Sequence, residues 1–146
     1  MNTITAYEND IKLQSSFLKN FKKQTPLSMH HQKNIIFTGS GDSLAAAMLA
    51  ESFSAFRVKS VDPLDLLKNK VIVKNKTVFF VSISGNTISN IKVAKMAKEA
   101  IAITSKPQSR LVKSCDSAII LSSSNSDVFT AGSISFLESA LTCISL

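Results

Sequence analysis

The chain has no tryptophan, and its 146 residues include two cysteines, three prolines and four glycines. Cys115 and Cys143 are too few for a disulfide framework. Neither stands in a CxxC or Cys/His spacing, so no metal site and no cofactor is expected. No apolar run reaches the roughly 18 residues of a membrane span. The first residues, Met1-Asn2-Thr3-Ile4-Thr5-Ala6-Tyr7-Glu8, lack the basic-then-apolar order of a secretory signal. The expectation is a cytoplasmic protein without a membrane partner, both cysteines reduced, in which the Asn75-Lys76-Thr77 sequon carries no meaning. Acidic residues are also scarce, 10 against 17 Lys and Arg, for a net charge of +7. The lysines are spread along the chain, at Lys12, Lys19, Lys22 and Lys23, at Lys68, Lys70, Lys74 and Lys76, and at Lys92, Lys95 and Lys98. No aromatic-interleaved stripe or helix-turn-helix pattern accompanies them. They read as solvated faces and strand flanks, with no nucleic-acid partner, and their field favours an anionic metabolite.

What is present is a globular domain's worth of apolar residues, 45% of the chain, enough for one core. Ile4, Ile11, Phe17, Leu18 and Phe21 predict an amphipathic helix over 3–23, ended at Gln24-Thr25-Pro26. Asn34 to Thr38 reads as a short strand, with His30 and His31 in the loop before it. Ser43 to Phe53 follows as a helix that Asp42 can cap. A small strand over 57–61 and a turn or helix opened by Asp62-Pro63 come next. Thr77 to Ile83 is the strongest strand; its apolar residues run without alternation, as in a parallel sheet covered on both faces. A helix is expected over 86–99, with Ile88, Ile91, Ala94 and Met96 inward. Then come a strand over 100–104, a short helix over 107–113, a strand over 117–121, and a last helix from about 130. This alternation predicts a doubly wound α/β fold, a parallel sheet with helices on both faces; in the flavodoxin-like strand order 2-1-3-4-5 the switch point falls between strands 1 and 3.

Strands 1 and 3 both lead into small, hydroxyl-rich loops. The first is Gly39-Ser40-Gly41-Asp42-Ser43 and the second Ser82-Ile83-Ser84-Gly85-Asn86-Thr87. Each joins a strand to a helix, so hydroxyls and backbone amides gather where a phosphate binds favourably. Gly85 allows a positive φ or a close backbone approach. The first loop lacks the third glycine of GxGxxG, where Leu44 stands, and lacks a P-loop lysine. Asp42 would repel a phosphate, which suits it to capping or to sugar hydroxyls. Read alone, either loop is also an ordinary helix cap.

The two loops with their spacing resemble those of the SIS (sugar isomerase) domain family. Ser82-Ile83-Ser84-Gly85-Asn86-Thr87 matches the family's SxSGxT phosphate loop, and Gly39-Ser40-Gly41-Asp42-Ser43 its first loop. The likeness extends to the first SIS half of glucosamine-6-phosphate synthases through Asp10-Ile11-Lys12-Leu13-Gln14, Ala102-Ile103-Thr104 with Ser109-Arg110-Leu111, and Ser126-Asp127-Val128-Phe129-Thr130-Ala131-Gly132. The resemblance implies a five-stranded parallel sheet, phosphosugar binding, with a phosphorylated hexose or aminohexose as ligand, and dimer-like pairing of SIS units; a homodimer or larger homo-oligomer through the first and last helices is expected. Carried over by position, Ser82, Ser84 and Thr87 with the Ile83 amide would hold the phosphate. Ser40 and Ser43 would approach phosphate or sugar, and Asp127 would stand where the family has a glutamate beside the sugar.

The departures bear on catalysis. In those synthases the enolising glutamate, ring-opening histidine and catalytic lysine belong to the second SIS half, which this sequence does not contain; Ile134 stands at the lysine position of the first half's sugar loop. Aldose–ketose isomerisation needs a base to move a proton between adjacent carbons. Single-SIS isomerases carry a glutamate early in the helix after the last strand. Glu138 stands close to that register; read by itself, it faces solvent. Asp127 is a second candidate, and Asp116 reads as a strand flank. Three readings follow: a phosphosugar-binding module of an aldose–ketose isomerase or aminosugar-phosphate synthase system, completed by a second SIS unit; a stand-alone small homo-oligomeric isomerase; or a non-catalytic phosphosugar sensor. A nucleotide-binding or response-regulator domain shares the sheet type, but a response regulator needs acidic residues where this chain has Ser and Gly.

Overall fold

The computed structural model describes residues 3–122 and 132–146. Helix α1 spans Thr3–Asn20 and the one-turn α2 Met29–Gln32; β1 is Ile35–Thr38, α3 Asp42–Phe53, β2 Lys59–Ser60 and α4 Pro63–Lys68. Strand β3 is Thr77–Val81, α5 Ile88–Ala94, β4 Glu99–Thr104, β5 Ser117–Ile120 and α6 Ser133–Ser145. The strands form one sheet in the order β2-β1-β3-β4-β5, every pair parallel. This is the flavodoxin-like order.

Both faces of the sheet are covered, because alternate side chains of each strand point opposite ways. Ile36, Val78, Phe80, Ala100 and Ala102 form one core with Leu66 of α4 and Ile91 and Val93 of α5. Ile35, Phe37, Phe79, Val81 and Ile103 form the other with Ala47 and Ala50 of α3 and Cys143 of α6. Phe37 and Phe79 stack across neighbouring strands, centroids 4.9 Å apart. Asp62 caps α4 by accepting from the Leu64 amide at 2.8 Å, with Pro63 in the first turn.

Several expectations are corrected. Helix α1 ends at Asn20 and α5 at Ala94, where the chain turns early to enter β4. The helix expected over 107–113 is a 3-10 turn at Val112–Ser114. His30 and His31 sit in α2 rather than in a loop. Strand β3 stops at Val81, leaving Ile83 in the turn beyond it. Ile88 is exposed, and Asn90 and Val93 take inward positions on α5 instead. Helix α1 packs on α6, yet Ala6 is its one buried residue, and Ile4, Ile11 and Leu18 face out. No described helix is long and apolar enough to cross a membrane.

Candidate functional site

Strands β1 and β3 are direct neighbours, with Thr38 paired to Phe80. Their exit loops therefore start about 4.8 Å apart on the carboxyl edge of the sheet. Chain connections diverge there, β1 leading to β2 on one side and β3 to β4 on the other. In open α/β sheets ligands bind at this kind of crevice.

The second loop is held from behind. The Ile83 carbonyl accepts from Thr104 Oγ1 at 3.0 Å, Ser105 Oγ at 3.0 Å and the Ser105 amide at 3.3 Å. In a planar trans peptide the following amide points the opposite way. The Ser84 N–H is thereby turned away from β4, and the Ser84 side chain is exposed. The Gly85 amide donates to the Ser82 carbonyl at 3.0 Å, and the Gly85 carbonyl accepts from Leu111 at 2.9 Å. Gly85 has φ +62°, and a Cβ there would meet Ser109 Oγ at 2.2 Å. The hydroxyls of Ser82 and Thr87 join at 3.1 Å and close the loop at its base. Thr87 is the N-cap of α5, with no side-chain capping bond. The Asn86 amide reaches Ser84 Oγ at 3.4 Å. Beneath the loop, Asn90 is fully buried; its Nδ2 reaches the Val81 carbonyl at 3.4 Å, and its Oδ1 has no partner.

The first loop is more open. Gly41, not Asp42, is the N-cap of α3, with φ +58°, and nothing lies within 4 Å of a Cβ built there. Asp42 enters the first turn of α3 and is exposed, so the expected Asp42 cap is corrected. Gly39 is buried against Ser43: a Cβ would come within 2.7 Å of the Ser43 Cβ. Ser40 is exposed and Ser43 half-buried. Gly39, Ser40, Gly41 and Ser43 thus share one edge with Ser82, Ile83, Ser84, Gly85, Asn86 and Thr87.

Of the carboxylates, Glu138 is buried, at 4% exposure, not solvent-facing. Its Oε1 accepts from the Ser122 amide at 2.7 Å and Ser122 Oγ at 2.8 Å. This joins α6 to the chain leaving β5, on the same edge as the two loops. Glu138 is the one charged residue of α6, so no second charge marks which face is solvated, and the hydrogen bond that draws Glu138 inward has no local signal. Asp127 lies outside the described residues. Asp116 sits at the opposite edge, entering β5, where its Oδ2 accepts from the Ala100 amide at 2.7 Å. His30 and His31 also lie on that side, before β1; His31 Nδ1 is 2.9 Å from Ser28 Oγ. Thr104, Ser105, Asn90 and Ser109 were missed as parts of the site. The available signal was the Thr104-Ser105 hydroxyl pair at the exit of the strand beside β3.

Thiolate chemistry is disfavoured. Burial, with the Asp116 charge, pushes the Cys115 thiol up to about 12, and burial does the same to Cys143, to about 12. Among the described residues no group of three or more His, Cys, Asp and Glu could hold a metal ion. A cavity of about 460 Å³ lies elsewhere, between α6, the C-terminal end of α3 and the segment after α1, lined by Phe21, Leu27, Phe53, Arg57 and Leu141 among others. It includes no residue of either loop.

The model of the SIS domain family matches residues 28–146. No curated protein matches the chain by sequence. Among solved structures, the C-terminal domain of glucosamine-fructose-6-phosphate aminotransferase from Francisella tularensis is similar at 18% identity and TM-score 0.69, over 96% of this chain and 44% of that one. Glucosamine-6-phosphate deaminase from Thermotoga maritima is similar at 21% identity and TM-score 0.68, over 98% of this chain and 47% of that one. A candidate sugar-phosphate isomerase from Listeria monocytogenes is similar at 18% identity and TM-score 0.63, over 98% of this chain and 80% of that one. The chain thus spans less than half of the first two and most of the third.

Proposed function

The chain belongs to the SIS domain family, and from that membership we propose that it binds a phosphorylated hexose or aminohexose at the carboxyl edge between β1 and β3. The observation that carries this reading is the loop Ser82–Thr87, whose Ile83 carbonyl is tied back to the end of β4 and whose Ser84 amide and hydroxyl are left on the outer side. The Ser84 hydroxyl and N–H with the Thr87 hydroxyl take the phosphate, and Ser40 and Ser43 the sugar side. Asp42 faces hydroxyls rather than phosphate, since two anions repel. No charged group offsets the phosphate in the Ser82–Thr87 loop, so affinity rests on neutral donors and on the net charge of +7.

The module works within an aldose–ketose isomerase or aminosugar-phosphate synthase system, and a second SIS unit supplies the proton-transfer groups. The outward stripe of Ile4, Tyr7, Ile11 and Leu18 on α1, all exposed, runs at heptad-like spacing and suits a helix seam with another copy. A second reading, a self-sufficient isomerase, is favoured by one observation: Glu138 is a buried carboxylate on the site's own edge.

Calorimetric titration with fructose 6-phosphate and glucosamine 6-phosphate, against inorganic phosphate, tests the ligand. A parallel interconversion assay separates the two readings. Binding without turnover supports the incomplete module; binding with turnover supports the self-sufficient isomerase. Absence of binding to either sugar removes the ligand assignment and leaves the fold. Light scattering at micromolar concentration tests the second copy, and a strict monomer overturns it.

A further inference from the structure

The edge opposite the loops has a character of its own. Because all strands run parallel, every segment entering the sheet arrives at this amino edge. Lys33 precedes β1, Lys70, Lys74 and Lys76 precede β3, and Lys98 precedes β4; all are exposed except the half-buried Lys76. They form one surface: the Lys76 ammonium donates to the Lys33 carbonyl at 3.2 Å, and the Lys98 amide donates to the Lys76 carbonyl at 3.2 Å. Two carboxylates share this edge, Glu99 accepting from the Thr77 hydroxyl at 2.7 Å and Asp116 from the Ala100 amide at 2.7 Å; against five ammonium groups they leave it net cationic. Neither ion pair found among the described residues, Lys59–Glu51 or Lys68–Asp65, includes any of these five lysines. Lysines scattered along the sequence are thereby gathered into one cationic surface.

Large apolar side chains project from the same edge. Val71, in the 3-10 turn Lys70–Ile72 between Lys70 and Lys74, is 88% exposed, and Ile72 is exposed beside it. On the other side of the sheet, α3 ends at the same edge, and Phe53 and Phe56 are 70% and 64% exposed. Phe56 is held there by an unusual backbone. Ala55 and Phe56 both have positive φ, +53° and +61°, in a helix-ending turn that normally takes glycine. The Phe56 amide closes that turn onto the Glu51 carbonyl at 2.9 Å. A bulky residue in the left-handed region is disfavoured on its own account, which points to a use for the ring.

We propose that this edge docks on an anionic lipid surface, with Phe53, Phe56, Val71 and Ile72 entering the headgroup layer and the lysines resting on the phosphates. The mixture decides the partner. Lysines are point charges suited to a diffuse anionic plane rather than to forked, base-level reading. Val71 and Ile72 have no π-face to stack on a nucleobase, whereas aliphatic and Phe side chains both gain from the bilayer interface. The lipid lies against the edge opposite the loops, so the carboxyl edge stays open to solvent. This proposal does not depend on the phosphosugar reading.

Co-sedimentation of the full chain with phosphatidylcholine vesicles, with and without phosphatidylglycerol, tests it. Binding is expected on the anionic vesicles alone, falling as salt is raised. Lys70→Glu with Lys74→Glu should weaken it by at least about tenfold. Phe56→Gly should weaken it several-fold while leaving the unfolding midpoint unchanged or raised, because glycine suits its φ. Absence of binding to anionic vesicles, equal binding to neutral ones, or indifference to the charge reversal would overturn the proposal. So would binding to single-stranded RNA but not to vesicles, which would make the edge a nucleic-acid surface.

Discussion

The two glycine loops leave adjacent strands and open helices on the same edge, yet they are built differently. Ser82–Thr87 is locked: neighbouring hydroxyls and amides hold its Ile83 and Gly85 carbonyls, and Ser109 fills the space beside Gly85. Gly39–Ser43 is open around Gly41 and carries an exposed carboxylate, Asp42. The locked loop has its donors set before a ligand arrives, and such preorganisation reduces the ordering cost of binding. Under the proposed phosphosugar reading this difference is a division of labour, the locked loop for the common phosphate and the open one for the variable sugar.

The comparison breaks most easily at the glycines. Gly85→Ala places a methyl 2.2 Å from Ser109 Oγ and 2.3 Å from its Cβ, at φ +62°. We expect a loss of about 3 kcal/mol in urea unfolding, from overpacking plus left-handed strain. Gly41→Ala meets no atom within 4 Å, so it should cost about 1 to 2 kcal/mol from backbone strain alone. Adding Ser109→Gly to Gly85→Ala should recover the packing part and leave the strain. Equal costs at the two glycines would show that the loops are not differently held.

Glu138 extends the comparison to the exit of β5, where one carboxylate does the anchoring that hydroxyls do behind Ile83. Glu138→Ala strands the Ser122 amide and hydroxyl, for a loss of about 2 kcal/mol. Glu138→Gln keeps an acceptor and should lose less. If the chain isomerises a phosphosugar by itself, Glu138→Gln abolishes turnover while the fold survives. If turnover survives in that variant, Glu138 is an anchor and not a base.

Much of this is legible in the sequence. The unalternated run Thr77 to Ile83 gave away a strand buried on both faces, and the strand–helix alternation a doubly wound parallel sheet. The hydroxyl-rich loops at the switch point mark the candidate site, because their composition is local. What stayed hidden depends on contacts distant in sequence. The Thr104 and Ser105 hydroxyls read as ordinary strand-end residues until β4 is laid beside β3. The outward face of α1 is invisible to periodicity, which predicts an apolar stripe but not which way it turns. Glu138 read as solvent-facing because a charged residue on a helix normally is; Ser122, sixteen positions away, reverses that.

A finer test asks whether the locked loop binds through its outer donors alone. Ser84→Ala should weaken phosphosugar affinity by about 1 kcal/mol, roughly fivefold by calorimetry. Thr104→Val removes one of three donors to the Ile83 carbonyl. Its effect on affinity should be smaller, about 0.5 kcal/mol, because two donors remain. A larger effect for Thr104→Val would mean that orientation of the loop outweighs the contact itself.

The smallest expected effect separates the loops by pH. The helix α3 that begins at the open loop is tied to β2 through Glu51, whose carboxylate accepts from Lys59 Nζ at 3.1 Å and the Ser60 amide at 2.9 Å. Burial alone would raise this carboxyl, but the hydrogen bonds from Ser60 and Lys59, with the Lys59 charge, outweigh it and hold the group below its ordinary value. A carboxyl depressed in the folded state contributes stability above its unfolded pKa and loses it as pH falls through the folded one. The α3–β2 tie should therefore weaken on acidification below about pH 4.5, and Glu51→Gln should flatten that part of the stability profile. The ties to Ile83 and Gly85 among the described residues come from neutral hydroxyls and amides, so amide exchange at Gly85 and Leu111, corrected for intrinsic rates, should hold steady over the same range. A loop around Gly85 that loosened together with α3 would show the two halves of the site to be one cooperative unit, and the division of labour between them would fall.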